Sequence, residues 1–521
     1  MFVDSLSPGP TFGLAIALVT SLVVGRMMYN VYMHPLRKYP GPWWAAATDL
    51  PLMVARARGR APFWVASVHE QYGEVVRIGV TELSYITPDA WRDIHGHKSQ
   101  NAGRGSLPKN LSQYNPDIAG HNGIIRTNDP DHARQRRLLA HAFSDKALRE
   151  QEPLICQYVE LLVRKLGAIA KGDRLDVSSR GDGTTDLLRF LNFTTFDVIG
   201  DLTFGEPLGL LQQNEYSPWV AAIFNTVKIG NLLAVIATYA PAIAGLLALA
   251  LPREARDGLR LHKEDVVARV DKRLARSTTR PDIWTFVLRH KNDEKSMPLH
   301  EMHATASVLM IAGTETTATL LSGLTYTLLR PDNADKLQRL KDEVRGAFAA
   351  PGEMTMAALA QLPYLQACLE EGLRLYPPVP VALPRITPKG GAEICGEHVV
   401  GDTTVGITMY AAYRSPRNFH APTSFHPERW LANEAGPEFA NDRRAVLEPF
   451  SFGPRNCIGK NLAYHEMRLI LANIAWHFDL KLCPESDDWM ERQEAYALWQ
   501  KPALRVGVGI SDVARAGGVF A

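Results

Sequence analysis

Cysteine is scarce in this chain, and the cysteines that occur form no recognisable framework. There are five in 521 residues, and no two are spaced as CxxC; they are Cys156, Cys368, Cys395, Cys457 and Cys483. A sparse, odd-numbered set argues against the disulfide scaffold of a small secreted protein. It favours reduced thiols in a body that faces the cytosol.

The chain also lacks an excess of charge of either sign. Its 57 lysines and arginines nearly balance its 55 aspartates and glutamates, which gives a formal net charge of +2. Because no basic arm stands out, nucleic acid is not expected as a partner. No repeat and no flavin or dinucleotide fingerprint occurs, so a redox reaction at this protein would need electrons from a partner.

Charged residues are missing from a long stretch near the N-terminus. Residues 5–25 carry no charge, and Arg26, Arg37 and Lys38 follow them. This length suits one crossing of a bilayer, and the positive flank predicts a body on the cytosolic side. A cleavable signal peptide is the alternative, but no basic segment precedes the apolar run.

These features divide the chain into three parts. Residues 1–30 are predicted to be a membrane anchor, residues 31–50 a basic, proline-rich hinge, and residues 51–521 the main globular domain. Trp43 and Trp44 are expected at the membrane interface.

A second uncharged run, Ile229–Leu251, is also long enough to span a membrane, but Pro241 interrupts it. We expect this run to dip into the bilayer from one side; burial inside the protein is the alternative.

The segment that dominates the sequence is Phe450–Gly459, which reads FSFGPRNCIG. An apolar helix is predicted just after it, over Leu462–Phe478. Cys457 thus lies at the mouth of a helix, whose dipole is expected to lower the pKa of the thiol. The two glycines allow tight turns and close approach to a flat ligand, and Arg455 offers a cation to an anionic group on that ligand.

Five residues of this segment match, position by position, the haem-binding signature of the cytochrome P-450 family: Phe450, Gly453, Arg455, Cys457 and Gly459. The resemblance implies a mainly α-helical fold with small β-sheets, preceded by one N-terminal transmembrane helix. It also implies haem b as the cofactor, with Cys457 as the axial ligand of the haem iron. The alternative is a buried structural cysteine on a loop that contains glycine.

A helical apolar period runs from Glu301 to Leu329 and includes the sequence AGTETT. The segment resembles the oxygen-activating helix of the family. The resemblance implies that Gly313 leaves a gap for dioxygen, that Thr316 hydrogen-bonds the oxygen, and that Glu315 relays protons. Ala312 would line the substrate pocket. The alternative is a buried helix whose hydroxyl groups bond back to carbonyl groups one turn earlier.

Two further motifs resemble the scaffold of the family. Glu371 and Arg374 are three residues apart on a predicted helix, and Arg429 lies in a later FHPERW segment. The resemblance implies a structural network of these three side chains.

A basic helix is predicted over Asp131–Phe143, where His132 and Arg136 share a face. The family usually has tryptophan and arginine here, both in contact with a haem propionate, so His132 departs from the pattern. Arg134 and Arg137 could instead form a solvated face or a docking surface for an acidic electron donor.

Residues between the two scaffold motifs are expected at the haem. Arg385 would contact a propionate, and Val379 and Val381 would line the substrate pocket. Tyr496–Trp499 would add one more wall.

Strands are predicted at five places: Val75–Ile78, Leu83–Ile86, Glu393–Cys395, His398–Val400 and Thr404–Met409. Residues 99–128 read as a long loop, and Asn192 in its NFT pattern as part of a buried helix rather than a glycosylation site.

The resemblance implies a haem-thiolate monooxygenase that acts on an apolar small molecule and dioxygen. Its electrons would come from an NADPH-dependent flavoprotein reductase on the same membrane, the endoplasmic reticulum, in contact with lipid. The hinge and residues 196–201 resemble fungal secondary-metabolite members such as isotrichodermin hydroxylase-like enzymes, which suggests a terpenoid, polyketide or alkaloid substrate. Two alternatives stay open: a haem-thiolate isomerase or dehydratase that does not use dioxygen, and a non-enzymatic haem-binding membrane protein.

Overall fold

The computed structural model describes residues 8–97, 106–114, 123–217, 220, 230, 232–238, 253–278, 280–289 and 296–520. It confirms the predicted fold, which is mainly helical with small sheets. The helices of the first half are α1 (Pro8–Tyr32), α2 (Trp43–Ala47), α3 (Leu50–Ala57), α4 (Ala61–Tyr72), α5 (Pro88–His95), α6 (Asp129–Ala140), α7 (Asp145–Ala170), α8 (Leu187–Phe204) and α9 (Leu210–Gln213). Those of the second half are α10 (Arg253–Leu274), α11 (Ile283–Leu288), α12 (Leu299–Leu329), α13 (Ala334–Ala347), α14 (Met356–Leu359), α15 (Pro363–Leu375), α16 (Met409–Tyr413), α17 (Lys460–His477) and α18 (Asp512–Ala516).

Short strands form four small sheets in the described part of the chain. The strands are β1 (Val75–Gly79), β2 (Glu82–Tyr85), β3 (Thr184–Asp186), β4 (Arg385–Ile386), β5 (Ala392–Ile394), β6 (Glu397–Val399), β7 (Thr404–Ile407), β8 (Phe478–Leu482), β9 (Glu494–Ala495), β10 (Trp499–Gln500) and β11 (Arg505–Ile510). The largest sheet has the order β1-β2-β7-β4, with β2 and β7 parallel. The others are β3-β11-β8, β5-β6 and β9-β10. The five predicted strands are present, but the last ends at Ile407, because Thr408 caps α16 and Met409 is helical.

The predicted oxygen helix is α12, which runs through the middle of the core and packs most extensively against α8. Gly313 lies at their crossing, where a Cβ would be 2.6 Å from Cγ1 of Ile199. The missing side chain of Gly313 therefore lets two helices approach each other. The prediction that Gly313 leaves a gap for dioxygen was wrong, because its Cβ direction points at α8.

The N-terminal helix α1 contains one stretch that is long and apolar enough to cross a membrane, Phe12–Tyr32, with a mean hydropathy of 1.7 and almost all of its side chains exposed. Its end is fixed to the body: Arg77, which is 1% exposed, donates to the carbonyl oxygen of Asn30 over 3.0 Å. The hinge also packs against the body, since Leu36 and Ala45 are buried. Trp43, by contrast, is 69% exposed. The segment between anchor and body is therefore folded against the body rather than extended.

Two predictions fall largely on residues that the structure does not describe. Of the apolar run Ile229–Leu251, only residues 230 and 232–238 are described, so its relation to a bilayer stays a prediction. Of the predicted loop 99–128, residues 106–114 and 123–128 are described, and they contain one short 3₁₀ turn, Leu111–Gln113. Asn192 is 3% exposed in α8, in line with a buried helix.

Helix α17 contacts α12 through a buried carboxyl group. Glu466 is 1% exposed and interacts with Thr317, and burial raises its pKa to about 8. The folded protein thus holds a proton here that the unfolded chain, with a pKa near 4.5, has released at neutral pH. A raised pKa of an acid stabilises the fold below the unfolded pKa, and that stability is lost as the pH rises toward the folded pKa.

We expect the free energy of unfolding to fall by up to about 3 kcal/mol between about pH 5 and pH 7, through this one group. Glutamine at this position is neutral and can still form a hydrogen bond with Thr317. Replacement of Glu466 by glutamine should therefore remove this part of the pH dependence of the free energy of unfolding. Thermal midpoints measured across this pH range for wild type, Glu466→Gln and the exposed control Glu438→Gln test it. Equal pH dependence in all three proteins would contradict the assignment.

Candidate active site

The cysteine segment forms a loop that ends at the start of α17. Cys457 donates its backbone N–H to the carbonyl oxygen of Phe450 over 2.8 Å, which closes the loop. Gly453 has φ +75°, and a Cβ there would overlap the carbonyl oxygen of His95. Only glycine fits a position that is both left-handed and crowded, so Gly453 brings the loop against the end of α5. Gly459 immediately precedes α17.

The Cys457 side chain is exposed, yet enough protein surrounds the thiol to desolvate it. Burial raises the pKa of Cys457, and the N–H of Gly459 with the charges of Arg136 and Lys460 only partly opposes this. The prediction that the helix dipole lowers the thiol pKa was therefore wrong for the protein alone, because desolvation outweighs the dipole. A bound metal cation reverses this balance, since a coordinating thiol is deprotonated.

Two buried guanidinium groups near the loop each keep an N–H group without a partner. Arg455 donates to Asp129 over 2.7 Å and to the carbonyl oxygen of Thr127 over 2.8 Å, but its Nη1 bonds nothing in the described structure. Arg385 donates to the carbonyl oxygen of Leu107 over 2.7 Å, and its Nε is likewise unpartnered. Buried donors of this kind normally have an acceptor.

Sequence reasoning missed two residues beside these cations. His95 is fully buried and neither ring nitrogen has a hydrogen-bond partner among the described residues; burial and the charges of Arg385 and Lys109 lower its pKa. Burial raises the pKa of Tyr114 to about 12, although Arg385 and Arg455 oppose it. Neither residue lies in a recognisable motif, so only the fold brings them to the loop.

Helix α6 confirms the predicted basic helix, with a start two residues earlier because Asn128 caps it. His132 is 6% exposed, and burial followed by the charge of Arg455 lowers its pKa to about 3, so the ring is neutral. Arg136 donates to the carbonyl oxygen of Asn456 over 2.6 Å and to its side chain. Arg136 thus braces the loop one residue before Cys457.

The two other arginines of α6 differ from each other. Arg134 is only 20% exposed and forms a bidentate pair with Glu301, over 2.6 and 2.9 Å. The solvated or docking role proposed for Arg134 was therefore wrong, because the arginine ties α6 to α12. Arg137 is exposed, and its role in docking stays a prediction.

The donors around the loop fit an anionic, flat cofactor. Arg455 and Arg385 bring positive charge and unpaired N–H groups to the cysteine loop, and the neutral His95 adds unpaired ring nitrogens. The two propionates of a haem would supply acceptors and negative charge, and the thiol would supply the axial ligand. The residues present therefore fit a haem.

One face of α12 is less enclosed than the rest of the helix. Val308, Ala312 and Thr316 are spaced four residues apart and are less buried than most of their neighbours. The hydroxyl of Thr316 donates to the carbonyl oxygen of Ala312 over 2.8 Å, as the back-bonding alternative predicted. That bond uses the hydroxyl proton and leaves the oxygen able to accept a second bond.

Glu315 lies on the neighbouring face and has a cation as its partner. Its Oε1 accepts from Nζ of Lys501 over 2.5 Å, and Lys501 also donates to the hydroxyl of Thr319 over 2.7 Å. Both side chains of the pair are buried, at 11% and 3% exposure. Sequence analysis did not find Lys501, since it follows β10 at a distance of 186 residues.

A cavity of about 600 Å³ lies against α12, and its walls include the predicted pocket residues Ala312, Val379 and Val381. Other aliphatic side chains complete most of the wall, and Tyr496 and Leu498 of the β9-β10 turn also line it. This volume and lining suit an apolar small molecule.

Behind the site, the three predicted scaffold residues meet and are fully buried. Arg374 binds Glu371 through two bonds of 2.7 and 2.8 Å, and Arg429 donates to Glu371 over 3.2 Å. Burial opposes ionisation, but Arg374 and Arg429 hold the pKa of Glu371 below its usual value. Arg429 also pairs with Asp442.

A comparison of the sequence with models of protein families supports the haem site that the cysteine loop and the donors beside it indicate. The model of the cytochrome P450 family matches residues 50–507 of the chain. The chain belongs to the cytochrome P450 family. This P450 is 44% identical over 479 residues to cytochrome P450 monooxygenase FUM2 of Gibberella moniliformis, which covers 92% of this chain and 98% of that protein.

Other relatives of the P450 also align with it over more than nine-tenths of both chains. It is 43% identical over 512 residues to cytochrome P450 monooxygenase efuB of Hormonema carpetanum, with 98% of each chain covered. It is 40% identical over 499 residues to averantin hydroxylase of Dothistroma septosporum, with 95% of this chain and 91% of the other covered. The P450 is a haem-thiolate monooxygenase, which requires haem iron, a redox partner, dioxygen and a substrate.

Proposed function

We propose that this P450 is a membrane-anchored enzyme that inserts one oxygen atom into an apolar terpenoid, polyketide or alkaloid of fungal secondary metabolism. The observation that carries the proposal is the pairing of Cys457 with the cavity face of α12. Cys457 is exposed on a loop flanked by unpartnered arginine N–H groups, and an aliphatic cavity of about 600 Å³ lies against that face. The name of the averantin hydroxylase, a relative of similar length, supports a small-molecule hydroxylation.

We infer that haem b is held from three directions. Cys457 would be the axial ligand, with Phe450, Gly453 and Gly459 shaping its loop. The unpartnered N–H groups of Arg455 and Arg385 would bind the propionates, helped by His95 and His132. Arg136 would hold the loop through Asn456 rather than reach a propionate with both terminal nitrogens.

Bound haem with a thiolate ligand activates dioxygen, because the thiolate pushes electron density that favours cleavage of the O–O bond. The chain itself supplies position and protons. Thr316 faces the interior and can accept a hydrogen bond while it donates to Ala312, so it can hold a water molecule or dioxygen in place. Glu315, one residue away, can take up and release a proton.

The substrate would bind in the aliphatic cavity, with Ala312, Val379 and Val381 as wall residues. Aliphatic walls exclude water and give little orientation by hydrogen bonding, so shape would select the carbon that is oxidised. Glu371, Arg374 and Arg429 would keep the loop and α15 in register behind the site.

We propose that helix α1 anchors the domain in the endoplasmic reticulum membrane, with residues 51–521 in the cytosol. The apolar stretch, the exposed Trp43 and the positive flank support this placement. An NADPH-dependent flavoprotein reductase on the same membrane would supply the electrons, since the chain has no flavin motif of its own.

The test is reconstitution of the full-length holoprotein with such a reductase, NADPH and isotopically labelled dioxygen. A panel of apolar terpenoids, polyketides and alkaloids is first screened by the shift of the Soret band on binding. We expect at least one binder to yield a product that carries one labelled oxygen atom. Binding without incorporation of label by any compound would contradict the proposed function.

Replacement of Thr316 by alanine is expected to lower product formed per NADPH by roughly tenfold or more, since proton management of this kind contributes about 10²–10⁴ in rate. The lost electrons should appear as hydrogen peroxide. Thr327→Ala is the matched control, because Thr327 bonds back to Gly323 on the same helix over 2.8 Å. If Thr316→Ala and Thr327→Ala form the same amount of product per NADPH, the role of Thr316 is contradicted.

A further inference from the structure

The large cavity against α12 is aliphatic over most of its wall, but one part of the wall is charged. Arg56 of α3 and Glu82 of β2 both line the cavity, and their side chains form an ion pair at 21% and 10% exposure. Gln113 also lines it and donates from Nε2 to the other carboxylate oxygen of Glu82 over 3.0 Å. These three residues form one polar cluster in an otherwise largely apolar surface, where charged groups are uncommon.

Helix α3 is held in place by other contacts. Asp49, which immediately precedes α3, accepts a hydrogen bond from the backbone N–H of Val80 over 2.7 Å, so it ties the helix to the turn between β1 and β2. Leu52 of the same helix is buried. A further tie by a largely buried ion pair adds little stability, because the cost of desolvation offsets most of the Coulomb attraction. The place of the pair in the cavity wall therefore points to a ligand.

The charges around the polar cluster cancel. Burial raises the pKa of Asp49 and the charge of Glu82 raises it further, whereas the charges of Arg56 and Arg77 lower it, so these four groups share one electrostatic environment. Arg77 directs its N–H groups to the backbone carbonyl oxygens of Gly79, Asn30 and Val80. Two guanidinium and two carboxyl groups leave no excess of charge that would attract an acid or an amine.

A neutral group that both donates and accepts a hydrogen bond matches the polar cluster. A carboxylate has about four lone-pair sites, and Glu82 uses one on Arg56 and one on Gln113, so it can accept another bond. The guanidinium group of Arg56 carries five N–H donors, which is more than one carboxylate oxygen occupies. A hydroxyl group would donate to Glu82 and accept from Arg56. A hydrocarbon at the same place would desolvate both charges and return no hydrogen bond.

We propose that Arg56, Glu82 and Gln113 bind a hydroxyl group of the substrate, so that the substrate class is an apolar molecule with a neutral hydroxyl at one end. This inference rests on the proposed function and narrows it. The aliphatic wall at Ala312 and Val379 holds the body of the molecule by shape, and the bound hydroxyl adds one fixed point. That fixed point limits which carbon atoms lie against α12. A carboxylate would face Glu82 and an amine would face Arg56, so both are disfavoured.

The test measures binding and needs no turnover. Farnesol, the hydrocarbon farnesene and farnesoic acid have similar apolar chains and differ at one end, and their affinities for the full-length holoprotein are measured by equilibrium dialysis. The variant carries Arg56→Met and Glu82→Gln together, which removes both charges and leaves neither unpaired. Hydrogen bonds to charged groups contribute roughly 10–100-fold in affinity, so the ratio of farnesol to farnesene affinity should fall by about tenfold or more in this variant. The affinity for farnesene should stay the same, which shows that the cavity is intact.

The matched control is the double variant Arg269→Met with Asp265→Asn. These side chains form an ion pair over 2.7 Å on α10 at a similar exposure, 23% and 25%, and they are not among the residues that line the cavity. We expect the wild-type affinity ratio from the control.

Four results would overturn the proposal: the same ratio in wild type and in the Arg56 and Glu82 variant, tighter binding of farnesoic acid than of farnesol, equal loss of farnesol and farnesene binding in that variant, or no binding of any of the three compounds by wild type. Failure of the proposed function is a separate result. It would appear as a reconstituted wild type that oxygenates no compound of the panel, whereas the affinity ratio would still decide whether the polar cluster binds a hydroxyl group.

Discussion

Replacement of Glu371 by glutamine is expected to lower the free energy of unfolding by about 3–5 kcal/mol, the usual cost of removing one partner of a buried ion pair. Glu371 and both of its arginines are fully buried. It also accepts from the backbone N–H of His426 over 2.9 Å and from Nε1 of Trp430 over 3.0 Å. Glutamine would leave the Arg374 guanidinium without a counter-charge, leave Arg429 with Asp442 alone, and replace an acceptor oxygen by a donor.

Denaturant unfolding of the purified protein and the fraction of protein that retains haem are the measurements. Glu434→Gln is the matched control, because Glu434 also pairs with an arginine, Arg339, over 2.6 Å, but both side chains are exposed by 40% or more. An exposed pair contributes about 1 kcal/mol or less. Similar losses for the two variants would mean that Glu371 does not hold the scaffold.

Replacement of Cys457 by serine is expected to abolish oxygenation while the fold is kept. Changing a residue that only supports a metal ligand typically costs roughly 10–100-fold, so loss of the proposed ligand itself should cost more than about 100-fold. Serine is nearly isosteric, and Cys457 packs loosely enough to be exposed, so the stability should change little. Incorporation of labelled oxygen into a substrate identified from the panel is the measurement.

Cys156→Ser is the control for this change. Cys156 is a half-buried thiol on α7, away from the cysteine loop, and burial raises its pKa to about 11. We expect wild-type activity from the control. Retained oxygenation by Cys457→Ser would mean that another group binds the iron.

The sequence predicted the features that depend on residues close together in the chain. The period of α12, the apolar anchor and three of the four strands of the largest sheet, β1, β2 and β7, depend on neighbouring residues, and the structure has them where the patterns indicated. The fourth, β4, was not predicted. The network of Glu371, Arg374 and Arg429 could also be predicted, but only from the resemblance to the family, since the spacing of Glu371 and Arg374 alone is common.

Contacts between distant segments could not be read from the sequence. Lys501 reaches Glu315, 186 residues away, and His95 reaches the cysteine loop only because the fold brings together segments that are far apart in the sequence. The error over the Cys457 thiol has the same origin: the dipole of α17 is local, whereas the burial that outweighs it is a property of the whole domain. Gly313 likewise required knowledge of which helix crosses it.

The measurement that tests the account most directly is the carbon-monoxide difference spectrum of the reduced full-length protein, with Cys457→Ser alongside. The account predicts a strongly red-shifted Soret band in the wild type, as thiolate ligation of haem gives, and its loss in the variant. An imidazole-type spectrum in the wild type, or folded protein that contains no haem, would contradict the assignment of Cys457 as the axial ligand.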